Sequence, residues 1–168
     1  IAGRFRELSW MEVDSWAGSG GTKLGTNRTL PKESDYYRIA ANLEKNRIDG
    51  LIIIGGWTAY TLASKLHAAR KTFEIFRIPL ICIPASINNN LPGVELSIGC
   101  DTALNTIVQA IDKIKNSSDS ARRLFIVEVM GRFCGFLAMM SGMATGAEYI
   151  YMHEMGVNVD MLQKHTHS

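Results

Sequence analysis

The chain has 168 residues, of which 46% are hydrophobic and 20% charged, and its formal net charge is +2. This length and balance are typical of one globular domain with a buried core. The net charge is too small to indicate binding to nucleic acid or to an anionic membrane. No run approaches the ~18 apolar residues of a transmembrane helix, and the charged start leads into no apolar signal segment.

The cysteines and histidines show no metal-ligand spacing. Cys82, Cys100 and Cys134 are widely separated and form no C-x-x-C pair. They therefore predict reduced thiols in a cytoplasmic protein, without a metal site. The last two of the four histidines, His165 and His167, lie in a polar tail that we expect to fray.

Helical periodicities alternate with short apolar runs in the first half of the chain. Residues 33–46 repeat apolar side chains at helical spacing, and residues 58–70 do so again. Between them, residues 51–54 form a continuous apolar run, which predicts a strand buried on both faces. A second run, at residues 80–83, predicts another strand that ends at Pro84.

The second half begins with a long polar loop and continues the alternation. The loop covers residues 85–100, and Asp101 is expected to cap a helix that ends at residues 116–118. The pattern then predicts a strand, a helix and a further strand, at residues 124–129, 136–145 and 148–152.

This alternation predicts an α/β fold, a doubly wound, mainly parallel sheet flanked by helices, and a single domain over residues 1–168. Ligands of such sheets bind beyond the carboxyl ends of the strands. Three loops satisfy that rule, residues 55–59, 85–93 and 130–135. A fourth candidate, the glycine-rich loop 18–29, precedes the first predicted helix.

Two of these loops have features of anion sites. In loop 18–29, flexible backbone N–H groups together with Arg28 would suit a phosphate, although a solvated surface loop has the same composition. Gly55 and Gly56 resemble the start of a nucleotide-binding turn. Trp57, which follows them, offers no ligand to phosphate or Mg²⁺, and this favours a tight turn covered by an aromatic side chain.

The other two loops combine amides with cations. Asn88, Asn89 and Asn90 offer hydrogen-bond donors and acceptors without charge, which suits sugar hydroxyls. The alternative is that they only turn the chain, since asparagine tolerates the left-handed conformation. The segment 130–132 offers a backbone N–H and an arginine for an anion, and Arg123 lies at the start of the strand before it. Solvated arginines are the alternative there.

Four motifs in this order resemble the phosphofructokinase family over almost the whole chain. They are LGTNR at 24–28, LIIIGG at 51–56, SIGCDTALNTI at 97–107 and VEVMGR at 127–132. The resemblance implies a phosphofructokinase-like lobe that starts after the family's N-terminal nucleotide strand and stops before its second lobe. It also implies a parent enzyme that phosphorylates fructose 6-phosphate with ATP and Mg²⁺.

The chain departs from the family pattern at the catalytic positions. In the family, an acidic residue that serves Mg²⁺ follows the Gly-Gly pair, and Trp57 stands there in this chain. Asn88 and Asn90 stand where the family has the aspartates of its catalytic loop, and an amide has no useful basicity at neutral pH. The resemblance therefore implies no catalytic residue, no metal and no cofactor in this segment.

The same departures resemble the C-terminal half of the duplicated eukaryotic-type enzymes, in which the old substrate pocket binds an effector. The implied ligand is fructose 2,6-bisphosphate or fructose 6-phosphate, and the implied partners are a catalytic half or subunits of a homo- or hetero-oligomer. Arg132 is a departure here, since regulatory halves often have a second glycine at that position. The implied pocket residues are Arg28, Ser86, Asn88, Asn89, Asn90, Arg123, Met130, Gly131 and Arg132.

Two other interpretations remain open. One is an active or pyrophosphate-dependent kinase that uses a base outside these motifs. The other is a scaffold that retains the α/β domain only for assembly. A scaffold has no use for the asparagine loop together with Arg28 and Arg123.

Overall fold

The structure is a computed structural model that describes residues 3–121, 123–156 and 159–166. It contains helices and a parallel sheet, which confirms the predicted α/β class. The chain divides into two compact units, one within residues 1–83 and the other within residues 84–168. The single domain over residues 1–168 stays a prediction.

The first unit contains a β-α-β arrangement preceded by two helices. Its elements are α1 (Trp10–Asp14), α2 (Tyr36–Lys45), β1 (Leu51–Gly55), α3 (Trp57–Ala68) and β2 (Leu80–Pro84). Strands β1 and β2 are neighbours in a two-stranded sheet. The 3₁₀ turn Glu33–Asp35 precedes α2, and the 3₁₀ turn Ala69–Lys71 follows α3. Both helices and both strands predicted for this region are therefore present, and these predictions are confirmed.

Helical spacing builds the core of the first unit. Tyr36, Ala40 and Leu43 share one face of α2 and are buried with Leu66 of α3. Phe76 completes this cluster and meets Tyr36 edge to face, with ring centroids 6.3 Å apart. The cluster therefore ties α2 and α3 together with the segment that leads into β2.

Strand β1 is buried on one face only. Leu51 and Ile53 pack against the core, whereas the side chains of Ile52 and Ile54 are 64% and 56% exposed. The prediction of a strand buried on both faces is therefore wrong for the described residues. Because successive side chains of a strand point to opposite sides, only one of its two faces meets the helical core of this unit.

The second unit contains three helices, α4 (Cys100–Ala121), α5 (Phe136–Thr145) and α6 (Val159–Thr166). Helices α4 and α5 pack together, and Cys100 and Leu137, at their first turns, are almost fully buried. A parallel bridge between Ala85 and Ile98 joins the two ends of the polar loop. The prediction of a helix over 136–145 is confirmed.

Helix α4 is longer than predicted. It starts at Cys100, so Asp101 lies in its first turn and is not the N-cap residue. It also continues through residues 116–118 to Ala121. The Ser120 hydroxyl donates to the carbonyl of Asn116, four residues earlier, which allows a serine to remain in the helix without breaking it.

The predicted strands at 124–129 and 148–152 are wrong, because the described residues of these segments are not in a strand. A strand needs a neighbour for its backbone hydrogen bonds, and no described segment pairs with either run. Leu124 and Ile126 are instead 64% and 68% exposed. Ile150 packs against Gly142 of α5, where an added Cβ would lie 2.7 Å from its Cγ1.

The expectation of a frayed tail is wrong for His165, which lies in α6. Its ring stacks on Tyr149 with centroids 3.7 Å apart and an interplanar angle of 6°. Its Nδ1 atom lies 2.7 Å from the Tyr151 hydroxyl. His167 lies outside the described residues. In the described part of the chain, no helix is long and apolar enough to cross a membrane.

Candidate functional site

Asn89 organises the polar loop of the second unit. Its φ of 49° is in the left-handed region, which asparagine tolerates better than most residues. Its side-chain Nδ2 donates to the carbonyl of Glu95 at 3.0 Å, and its Oδ1 accepts from the Ser97 N–H at 2.9 Å. Asn89 therefore fastens two stretches of this loop together, as the turn interpretation of the asparagines predicts.

Asn88 is placed differently from Asn89. Its side chain is half-buried, and its Oδ1 accepts no hydrogen bond within the described part of the chain. A buried oxygen without a donor is costly, by about 1–3 kcal/mol, and such atoms in native proteins call for a specific explanation. Asn88 is therefore the residue of this loop whose side-chain oxygen is buried and unpaired within the described part of the chain.

Ser86 and Asn90 flank these two residues. Both are half-buried, and the Ser86 carbonyl accepts hydrogen bonds from the Asn89 N–H, at 3.3 Å, and from the Ser97 hydroxyl. Ser97 is only 2% exposed, so the loop is anchored on a buried side chain. From Ser86 to Asn90 the loop contains no ionisable side chain. It can offer hydrogen bonds without repelling an anion.

A second tight turn, at residues 130–135, leads into α5. Gly131 has a φ of 127°, and an added Cβ would lie 2.3 Å from the carbonyl oxygen of Cys134. The turn therefore requires glycine at this position. The Gly131 carbonyl accepts from the Cys134 N–H at 3.2 Å, and Met130 is 62% exposed. The hydrogen bond from Cys134 N–H thus closes the turn at Gly131, and the flanking side chains of Met130 and Arg132 are exposed.

Arg132 is an exposed cation that rests on a neighbouring ring. Its guanidinium carbon lies 5.0 Å from the centroid of the Phe133 ring. The Phe133 ring meets the His153 ring edge to face, with centroids 5.4 Å apart and an interplanar angle of 82°. No carboxylate forms an ion pair with Arg132 in the part of the chain that the structure describes.

Glu154 holds the turn from the opposite side. Both of its carboxylate oxygens lie near the Gly135 N–H, at 2.9 and 3.0 Å. The donated hydrogen bond, with a smaller contribution from the charge of His153, lowers the pKa of Glu154 below its ordinary value. An added Cβ on Gly135 would lie 2.6 Å from the Glu154 carboxylate, so this approach also depends on glycine.

Arg123 belongs to the second unit. It is exposed and lines an apolar cavity of about 670 Å³ with Leu124, Ile126, Ile150 and Leu162. None of the other predicted site residues lines this cavity. This cavity of the second unit is therefore lined by Arg123 without residues of the asparagine loop or of the turn at 130–135.

Arg28 belongs to the first unit and is exposed. Beside it, Asn27 Oδ1 accepts from the Thr29 N–H at 2.8 Å, and both of these residues line a cavity of about 500 Å³ next to α2. Gly21 and Gly25 have φ values of 79° and 76°, so the glycine-rich loop uses conformations that favour glycine. The loop leaves the Arg28 side chain accessible.

The turn after β1 is a strand-to-helix connection. Gly56 precedes Trp57, which is the first residue of α3 and is 53% exposed. An added Cβ on Gly55 would lie 2.9 Å from Ala59 Cβ. The close packing against Ala59 therefore leaves little room for a larger residue than glycine at this position. The indole of Trp57 supplies no oxygen ligand, so this turn does not have the donor set of a Mg²⁺ site.

The sequence analysis did not identify three of the residues that shape the turn at 130–135, namely Phe133, His153 and Glu154. Phe133 is 66% exposed, and His153 and Glu154 lie about twenty positions further along the chain. A pattern that considers only neighbouring residues contains no signal for these contacts. Across the described residues, no group of three or more histidine, cysteine or carboxylate side chains is placed to hold a metal ion.

Comparison with known proteins identifies relatives of the whole chain. A family model described as Phosphofructokinase matches residues 1–168. The muscle-type ATP-dependent 6-phosphofructokinases of Canis lupus familiaris and Homo sapiens are 49% and 48% identical over 162 residues, which is 96% of this chain. The chain spans only 21% of the length of these relatives.

Solved structures agree with this assignment. The chain superimposes on phosphofructokinase from Saccharomyces cerevisiae with a TM-score of 0.89 and 41% identity, over 95% of this chain and 21% of that one. For the T-state enzyme of Pichia pastoris the TM-score is 0.87 and the identity 45%, over 95% and 17%. The match over the full chain, the level of identity and the shared backbone lead to one conclusion. The chain belongs to the phosphofructokinase family.

Proposed function

We propose that this chain is the effector-binding part of an ATP-dependent 6-phosphofructokinase and binds a fructose bisphosphate through its neutral asparagine loop. The observation that carries the proposal is Asn88, a half-buried amide with an unsatisfied acceptor in the stretch from Ser86 to Asn90, which contains no carboxylate. A sugar hydroxyl would supply the missing donor, and the absence of negative charge would allow a phosphate nearby.

The chemistry of the donor set argues against phosphoryl transfer by this chain. Neither Asn88 nor Asn90 can act as a general base at neutral pH, because an amide does not accept a proton there. Trp57 supplies no ligand for Mg²⁺. ATP and Mg²⁺ would therefore act at another part of the full-length enzyme. In this proposal, the full-length enzyme is the cytoplasmic, glycolytic kinase that converts fructose 6-phosphate to fructose 1,6-bisphosphate.

The cations supply the affinity for phosphate in this proposal. Arg132 is exposed and has no carboxylate partner among the described residues. Arg28 and Arg123 are exposed as well. The two loops also contain residues that shape the backbone around the proposed site, namely Ser86, Asn89, Met130 and Gly131. Binding of the effector would then shift the equilibrium between conformations of an oligomeric enzyme.

The proposal is tested by calorimetric titration of the full-length protein with fructose 2,6-bisphosphate. We expect Asn88→Asp to weaken binding by about tenfold or more, because it places a carboxylate beside a phosphate. Arg123→Ala should also weaken binding. Asn116→Asp and Arg38→Ala, at exposed positions on α4 and α2, make the same changes of charge elsewhere and serve as controls.

Unchanged affinity in both Asn88→Asp and Arg123→Ala would refute the assignment of this site. Retention of Mg²⁺-dependent turnover after a separate catalytic half is disabled would favour an active or pyrophosphate-dependent kinase. Loss of assembly on removal of the segment, without any sugar phosphate binding by the intact protein, would favour the scaffold.

A further inference from the structure

The contact between Arg132 and Phe133 is not explained by packing of the core. Both side chains are exposed, Phe133 by 66%, and the guanidinium carbon lies 5.0 Å from the ring centroid. Exposure of a single phenylalanine is common and by itself indicates no role, so the contact with the guanidinium is the observation that counts. The neighbour of Phe133 is a cation, and an aromatic ring face attracts cations.

The ring is held in place by a second set of contacts. His153 meets it edge to face at 5.4 Å. The next residue, Glu154, accepts from the N–H of Gly135 at 2.9 and 3.0 Å, which fastens the turn His153–Met155 to the start of α5. The Phe133 ring therefore contacts a residue, His153, whose neighbour Glu154 is anchored to the start of α5.

A cation–π contact restrains an arginine without neutralising it. An ion pair with a carboxylate would cancel the charge that an anion needs, whereas an aromatic ring leaves the guanidinium charge and its N–H donors available. The contact also removes rotamer freedom before the ligand arrives, so less entropy is lost on binding.

We propose that Phe133 is a positioning residue that holds Arg132 ready for a phosphate group of the effector, with His153 bracing the ring. This inference rests on the proposed function, because it names how one cation of that site is arranged. Arg132 contacts the phosphate, and Phe133 acts only through Arg132.

A double-mutant cycle tests the inference in the full-length protein, with fructose 2,6-bisphosphate as the probe. Phe133→Leu should weaken binding about two- to fivefold, the range expected for an exposed cation–π contact. Phe133→Tyr keeps an aromatic face and should restore the affinity. In an Arg132→Met background, Phe133→Leu should have no further effect.

Each other outcome has a defined meaning. If Phe133→Leu weakens binding equally with and without Arg132, the ring acts through the backbone and the inference is wrong. If Phe133→Leu changes nothing in the otherwise unaltered protein, the inference is also wrong while the proposed function stands. If the unaltered protein does not bind the bisphosphate, the proposed function is wrong, and this inference is then wrong as well. Because Phe133 is largely exposed, its substitution should not prevent folding.

Discussion

At the scale of single residues, Asn89 and Asn88 show how identical side chains acquire different roles. Both groups of the Asn89 side-chain amide form hydrogen bonds within the loop. Its Nδ2 donates to the Glu95 carbonyl, and its Oδ1 accepts from the Ser97 N–H. Asn88 leaves a buried oxygen without a donor. Asn89 therefore builds the loop, whereas the loop leaves the side-chain oxygen of Asn88 unpaired.

Substitution of Asn89 should destabilise the protein by two separable effects. Asn89→Ala removes the acceptor of the buried Ser97 N–H and places alanine at a φ of 49°, so we expect a loss of about 2–3 kcal/mol. Asn89→Gly removes the same hydrogen bonds but tolerates the backbone angle. Urea unfolding should show the glycine variant to be the more stable by about 1 kcal/mol, and equal stabilities would contradict this account.

The turn at 130–135 should respond to acid through Glu154. Its pKa is lowered from an ordinary value of 4.5 by the hydrogen bond from Gly135 N–H. A carboxylate with a lowered pKa stabilises the fold above its ordinary pKa, and that contribution disappears as the pH falls through the lower, folded value. The amide shift of Gly135, followed by NMR with ¹⁵N-labelled glycine, should therefore titrate with a midpoint below 4.5.

Glu154→Gln supplies the control for this titration. Glutamine keeps the shape of the side chain and does not ionise, so the low-pH step in the Gly135 shift should vanish. A midpoint at the ordinary carboxyl value, or a step that survives in Glu154→Gln, would show that the carboxylate does not hold this turn.

At the scale of elements, the close approach of α5 to the segment before α6 depends on Gly142. An added Cβ there would lie 2.7 Å from Cγ1 and 2.8 Å from Cδ1 of Ile150. Gly142→Ala should therefore destabilise the protein by about 1–3 kcal/mol, although alanine favours helices more than glycine does. In an Ile150→Ala background the clash is absent, and the same substitution should be neutral or stabilising.

Thermal unfolding of the unaltered protein, the two single variants and the double variant measures this coupling. A cost of Gly142→Ala that is the same in both backgrounds would mean that Ile150 does not lie against α5. That result would reopen the prediction of a strand over residues 148–152.

The elements illustrate what sequence patterns contain. The run at 51–54 is apolar and the run at 124–129 is apolar except for Glu128, yet only the first forms a strand among the described residues. Whether a run pairs depends on a distant segment, which its own residues do not specify. A continuous apolar run such as residues 51–54 also lacks the alternation of polar and apolar side chains that would show which face of the strand is exposed. Helix 136–145 was predictable because its boundaries lie at two glycines, Gly135 and Gly146.

The candidate site was predictable in part. Ordered motifs with polar residues beyond predicted strands indicated the asparagine loop and the turn at 130–135. The different hydrogen bonding of Asn88 and Asn89 was not predictable, since the two side chains are identical and differ only in the contacts that the folded loop gives them. The ring beneath Arg132 was missed because it is positioned by His153, twenty residues away in the sequence.

At the scale of the whole molecule, the chain corresponds to about a fifth of the length of its relatives, which have 48–49% identity to it. We expect that restoring carboxylates alone does not restore catalysis. Asn88→Asp with Asn90→Asp supplies potential bases, but Trp57 still provides no Mg²⁺ ligand. Steady-state assays of the full-length protein should show no added Mg²⁺-dependent turnover, and new turnover would indicate a site closer to a working kinase than we propose.

The central claim is that Asn88 belongs to an effector site. The most direct measurement is a titration of the full-length protein with fructose 2,6-bisphosphate, followed by calorimetry and by activity, in the unaltered protein and in Asn88→Ala. The account predicts that binding and activation fall together in the variant while the unactivated rate survives. If the unactivated rate collapses instead, Asn88 lies in a working active site and the account is contradicted.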